Sequence, residues 1–171
     1  MSARGKGWWL TLVLAGLTVL VLALSLPGAA RDAWERGGIY LLSRDFLEDI
    51  PKRLSGPGRF RFILQPALAI ALGIGAGRAD RRAGRPPYLQ ALLLGSEARG
   101  ELVRSAFRGI ANLLMMGILL DAVSQWLILG VSHPGAALVV GPVLIATPYG
   151  VARGLTNRFT AAKVRPPRPG S

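Results

Sequence analysis

Trp8 to Leu26 is a run of nineteen residues without a single charge, and no other feature of the chain limits its possible folds so strongly. At about 1.5 Å of rise per residue, a helix of that length crosses a hydrocarbon core roughly 30 Å thick; the core helix of a water-soluble domain needs only one apolar face. The rest of the chain follows the same pattern. Hydrophobic residues make up 51% of the sequence and charged residues 18%, below the roughly 25% usual in soluble domains, and the charges collect between long apolar stretches. The fold class that follows is an all-α membrane protein with about four transmembrane helices plus one or two interfacial amphipathic helices.

Four segments are expected. Residues 1–30 read as an N-terminal transmembrane anchor; Pro27-Gly28-Ala29-Ala30 also resembles the tail of a cleaved signal peptide, but the apolar run exceeds the roughly 7–15 residues of a signal core. Residues 31–58 read as an amphipathic interfacial segment. In it Ile39, Leu42, Phe46 and Ile50 fall on one helical stripe while Arg44, Asp45, Glu48 and Asp49 face elsewhere, and Ser55 to Gly58 breaks the helix. Residues 59–160 form the helical membrane domain, with spans at about 60–77, 107–131 and 136–151 and a basic loop with an interfacial helix at 78–106. Residues 161–171 read as a disordered, basic, proline-rich tail. The 60–77 span is imperfect, because Arg61, Gln65 and Pro66 sit in its first turns, and a re-entrant segment is the alternative.

Twenty-one Lys and Arg against nine Asp and Glu give a net charge of +12. Nucleic acid is not needed to explain it, since basic residues beside spanning helices stay on the cytoplasmic side and face anionic head groups. With four spans, fourteen of the basic residues lie on the side of both termini and seven on the other, all of these between 27 and 61. The expected location is a bacterial inner membrane, multi-pass, with cytoplasmic termini. The expected partners are the lipid bilayer, its anionic head groups included, and a membrane protein or further copies of the chain; no nucleic acid is expected.

The chain has no cysteine and one histidine, which excludes disulfides and thiolate metal sites and argues against a histidine-based centre. No cofactor, metal or catalytic residue is expected, and the chain is not read as an enzyme. Asp121 is the main candidate for a function, because a carboxylate near the middle of a span costs roughly 2.5–3.5 kcal/mol. Ser124 and Gln125 follow at i+3 and i+4 on its face, and Asn112 lies about 180° away. Counting rise from the outer surface puts Asp121 level with Ala146 and Thr147, and Gln125 level with Gln65. Asp121, Gln125, Ser124, Gln65 and Asn112 therefore form a candidate intramembrane polar cluster, serving either a proton or substrate path or interhelical hydrogen bonding.

Small residues at i, i+4 point to close helix packing: Gly73 with Gly77, Ala137 with Gly141, and Ala146 with Gly150 and Gly154. Pro142 and Pro148 are expected to kink the last span or open its hydrogen-bond ladder, and Tyr149 and Arg153 to anchor its end at the interface.

Five stretches taken in order carry a resemblance: Arg59 to Pro66, Gly84 to Tyr88, Leu120 to Gln125, His133 to Leu138, and Pro148-Tyr149 through Arg153-Gly154 to Asn157-Arg158. Together they resemble a family of small bacterial integral membrane proteins of uncharacterised function, over roughly residues 45–160. The resemblance implies an inner-membrane location and marks Gln65, Asp121 and Gln125 as pattern residues; it brings no activity, substrate or cofactor. Gly73-Ile74-Gly75 departs from it where an arginine would be expected. The function expected is that of a non-enzymatic accessory or scaffold component, the alternative being a small oligomeric transporter or proton-coupled permeation unit using Asp121.

Overall fold

The computed structural model describes residues 4–85, 88, 92 and 99–160, and every element in them is helical. Helix α1 spans Arg4–Arg36. A 3-10 turn at Tyr40–Leu42, α2 (Arg44–Glu48) and α3 (Ile50–Ser55) then lead to α4 (Arg61–Arg82), α5 (Arg99–Leu129) and α6 (Pro134–Thr160). Four of these, α1, α4, α5 and α6, are long and apolar enough to cross a membrane. They run alternately up and down, so Arg4 and Thr160 lie at one face, here the terminal face, and residues 37–60 and 130–133 lie at the opposite turn face.

The surface is apolar and much of the interior polar. Leu24 is 72% exposed and Trp126 63%, while Arg61, Gln125, Asp121 and Arg153 are at most 1% exposed. Water would select the reverse arrangement; lipid around the helices selects this one.

Three helices form the core, and their buried residues recur every three or four positions. On α4 they are Arg61, Gln65, Ala69, Gly73, Gly77 and Asp80. The facing stripe of α6 includes Ala137, Gly141, Ile145, Tyr149 and Arg153. Small residues let the backbones approach: a Cβ on Gly73 would lie 2.5 Å from the Tyr149 carbonyl oxygen, and one on Gly77 2.5 Å from that of Arg153. Gly141 of α6 meets Gly117 of α5 in the same way, 2.9 Å from its carbonyl carbon. Gly73, Gly77 and Gly141 thus stand at helix contacts, as small-residue spacing implies. Gly150 does not, since a Cβ there would meet only Tyr88, at 3.9 Å; the α6 face turned to α4 carries Tyr149, Ala152 and Arg153 instead.

Helix α1 packs mainly on α5. Within it Thr18 and Ser25 donate to the carbonyls of Leu14 and Val21, each 2.7 Å away, so its hydroxyls are satisfied locally. The helix continues through Pro27 and past Ala30, which corrects its expected end, and stops at Gly37, whose φ of +69° an L side chain rarely adopts. The 31–58 segment is therefore not one amphipathic helix but the end of α1 and three short turns. Its apolar stripe is split: Ile39, Leu42 and Ile50 are exposed, Phe46 packs edge-on against Tyr40, and Tyr40, Asp49 and Arg53 turn inward.

The second span is an unbroken helix of 22 residues, about 33 Å long, and is not re-entrant. Helix α6 is likewise continuous through Pro142 and Pro148. The 78–106 region divides between the end of α4 and the start of α5; the interfacial helix expected there lies largely outside the described residues, and the 161–171 tail wholly so.

Candidate functional site

Two ion clusters are buried in the bundle, one toward each face. At the turn face the centre is Asp121. Arg61, at the start of α4, places Nη2 2.8 Å from Asp121 Oδ1, an ion-pair contact whose angle is not that of a hydrogen bond, and its Nη1 donates to the Leu120 carbonyl at 3.3 Å. Arg53 of α3 reaches both carboxylate oxygens with Nη1, at 3.4 and 3.5 Å. Gln125, one turn along α5, donates to Oδ2 at 2.6 Å and accepts the His133 backbone N–H at 2.9 Å. Two guanidinium groups thus enclose one carboxylate, and the Nε groups of Arg53 and Arg61 have no hydrogen-bond partner among the described residues.

The cluster continues to the turn-face surface. Arg53 Nη2 donates to the Tyr40 hydroxyl at 3.3 Å, and that hydroxyl donates to Asp49 at 2.8 Å. Burial pushes the Tyr40 phenol up to about 12; Arg53 opposes the shift and Asp49 adds to it. Burial also acts upward on Asp49, but hydrogen bonds from Lys52 and Tyr40 hold its carboxyl below the usual range. The Tyr40 ring stacks on His133 at 3.8 Å, and His133 Nε2 lies 2.9 Å from Asp32 near the end of α1. Arg36, Tyr40, Asp49, Lys52 and His133 line a polar pocket of 370 Å³ here.

At the terminal face the centre is Asp80. Arg153 donates to it in a fork, Nε to Oδ2 at 2.5 Å and Nη2 to Oδ1 at 2.9 Å, the bidentate geometry that suits guanidinium and carboxylate best. The same guanidinium reaches Tyr149 at 3.1 Å and Ser105 at 3.3 Å and lies 4.4 Å from the Tyr88 ring centroid. Arg85 adds a second cation, 3.0 Å from Asp80. Tyr149 and Arg153 are thus buried partners and not interface anchors.

Of the five residues expected to cluster, the structure brings together Asp121, Gln125 and Ser124. Ser124 is buried on the same face, against Gly58. Gln65 is buried too, but it stands at the level of Gly117, deeper than Gln125, and neither end of its amide has a partner among the described residues. Asn112 is elsewhere, accepting from Thr11 of α1 at 2.9 Å. The depth count fails because α5 and α6 meet at Gly117 and Gly141, so Asp121 lies one turn nearer the turn face from that contact, away from Ala146 and Thr147.

Arg61, Arg53, Asp80 and Tyr40 were not among the expected site residues. Arg61 and Asp80 carried a usable signal: they fall on the small-residue stripe of α4, as its first and last members. No group of three or more His, Cys, Asp or Glu able to hold a metal occurs among the described residues. No protein-family model, curated protein or solved structure matches the chain.

Proposed function

We propose that the chain is a multi-pass integral membrane protein of the bacterial inner membrane that acts as a non-enzymatic accessory or scaffold component, with both termini in the cytoplasm. The observation that carries this reading is the pairing of Asp121. Both its oxygens are engaged by Arg61, Arg53 and Gln125, so the costly carboxylate joins α3, α4 and α5 and is not presented to a path. Asp80 joins α4 to α6 in the same manner. The resemblance to small bacterial membrane proteins and the excess of basic residues at the terminal face support the location and orientation.

One observation favours the second reading, a small proton-coupled or solute-conducting unit. The unpartnered Gln65 amide lies one turn inward from Arg61 on the same face of α4, where a water or solute could bridge them.

Reconstituted vesicles separate the two. A scaffold shows no proton or solute flux for the wild-type protein or for Asp121→Asn, and Asp121→Asn loses thermal stability; flux that Asp121→Asn abolishes at unchanged stability overturns the scaffold. Orientation is tested in a chain without native cysteine by placing one at Ser43 and another at Phe159. Only the first should react with an impermeant maleimide added outside intact cells.

A further inference from the structure

On the lipid-facing side of the bundle, α5 and α6 leave a groove of 660 Å³ between them. Its α5 wall runs from Val103 to Ile118, about 22 Å along the helix, through Phe107, Ala111 and Met115. Opposite stand residues of α6, and the Tyr88 and Tyr149 rings close the end nearer the terminal face. The walls are almost wholly apolar, and a dry slot of that length in a bilayer suits a hydrocarbon chain.

The mouth is not apolar. Arg104 and Arg108 precede Ala111 and Met115 at spacings of four, three and four, which puts all four on one edge of α5, beside the groove. Both arginines are exposed, and neither pairs with a carboxylate among the described residues; Glu101, one turn earlier, is exposed as well. Their height is fixed by their neighbours. Ser105 accepts from Arg153 at 3.3 Å, and a Cβ on Gly109 would lie 3.4 Å from the Tyr149 hydroxyl. Arg104 and Arg108 therefore stand level with the Asp80 cluster, where the helices leave hydrocarbon.

We propose that this groove seats an acyl chain of an anionic phospholipid whose phosphate is held by Arg104 and Arg108. The proposal rests on the membrane reading above and adds a defined lipid site to it. Charge complementarity selects the occupant: two cations at head-group level that pair with no carboxylate among the described residues favour a phosphate with net negative charge, and the groove below them takes its chain.

The test uses the full chain in vesicles that carry a photoreactive group in the acyl chain of either phosphatidylglycerol or phosphatidylcholine at equal density. The phosphatidylglycerol probe should label peptides containing Phe107, Met115 or Val151 about tenfold more than the phosphatidylcholine probe. Arg104→Gln with Arg108→Gln, both at exposed positions, should remove that preference, and Ala111→Trp should block labelling in the groove while labelling elsewhere persists. Equal labelling by the two probes in the wild-type protein overturns the proposal, as does a preference that survives the double substitution. Crosslinking of two chains through Phe107 overturns it in favour of a second copy. Failure of the protein to float with the vesicles would instead strike the membrane reading itself.

Discussion

Arg61 and Asp121 meet at 2.8 Å inside the bundle, a cation from the first turn of α4 and an anion two turns before the end of α5. Each is nearly inaccessible, so each is the other's main substitute for water. Arg53 and Gln125 complete the arrangement, and removal of the single carboxylate leaves two buried guanidinium groups facing each other without a counter-charge.

Asp121→Asn keeps the shape and the hydrogen bond to Gln125 but leaves Arg53 and Arg61 unneutralised. A loss of about 3–5 kcal/mol is expected, read as earlier thermal aggregation in detergent on size-exclusion chromatography. Combining it with Arg61→Met should recover part of the loss; no recovery would mean that the two residues are not coupled.

Asp80 and Arg153 should show strong coupling in a double-substitution cycle. Asp80→Asn and Arg153→Gln each destabilise, and the pair together costs less than the sum, with an interaction energy of about 1–3 kcal/mol. Strict additivity in thermal unfolding would contradict the fork seen here.

The glycines of α4 offer an internal control. Gly73→Ala places a methyl 2.5 Å from the Tyr149 carbonyl oxygen, which belongs to backbone and cannot rotate away, whereas a methyl on Gly75 meets nothing within 4 Å. Gly73→Ala should therefore separate α4 from α6 and destabilise by about 1–3 kcal/mol. Gly75→Ala should be neutral or stabilise by up to about 1 kcal/mol through helix propensity. Equal behaviour of the two variants in a melting assay would place the helix contact elsewhere.

Alkaline pH should loosen the turn face. The folded protein holds the Tyr40 proton more tightly than the unfolded chain, so this contribution is complete below about pH 10 and is lost as pH rises toward about 12. Asp49 acts at the other extreme: its depressed carboxyl contributes above about pH 4 and stops contributing as the group protonates. Ultraviolet phenolate titration of the wild-type protein and Tyr40→Phe should show one late-ionising phenol missing in the variant.

How much of this could be read from the chain differs from residue to residue. The four apolar helices were legible because lipid demands long uncharged runs, and Gly73 with Gly77 because close approach demands small side chains at one spacing. The grouping of Asp121, Ser124 and Gln125 was legible because they share one helix face. What escaped was which distant groups answer them. Arg61 reads as an interruption at the edge of a span, and only the crossing of α4 over α5 turns it inward. Asp80 and Arg153 read as loop and interface charges, because the sequence says neither that α4 packs on α6 nor in what register. The stripe of Ile39, Leu42, Phe46 and Ile50 was legible as a spacing but not as a face, since the segment folds as separate short turns that leave Ile39, Leu42 and Ile50 exposed and set Phe46 against Tyr40.

The ionic ends of α4 bear on how the protein is assembled. Asp121, which answers Arg61, and Arg153, which answers Asp80, both occur later in the chain than the helix they neutralise. During synthesis the second span carries Arg61 without its counter-ion until α5 emerges, and Asp80 has only the half-exposed Arg85 beside it until the final helix brings Arg153. Truncation before Arg153 should therefore leave the buried fork at Asp80 unmade, so the hold of the second span on the last is secured from the C-terminal end of the chain.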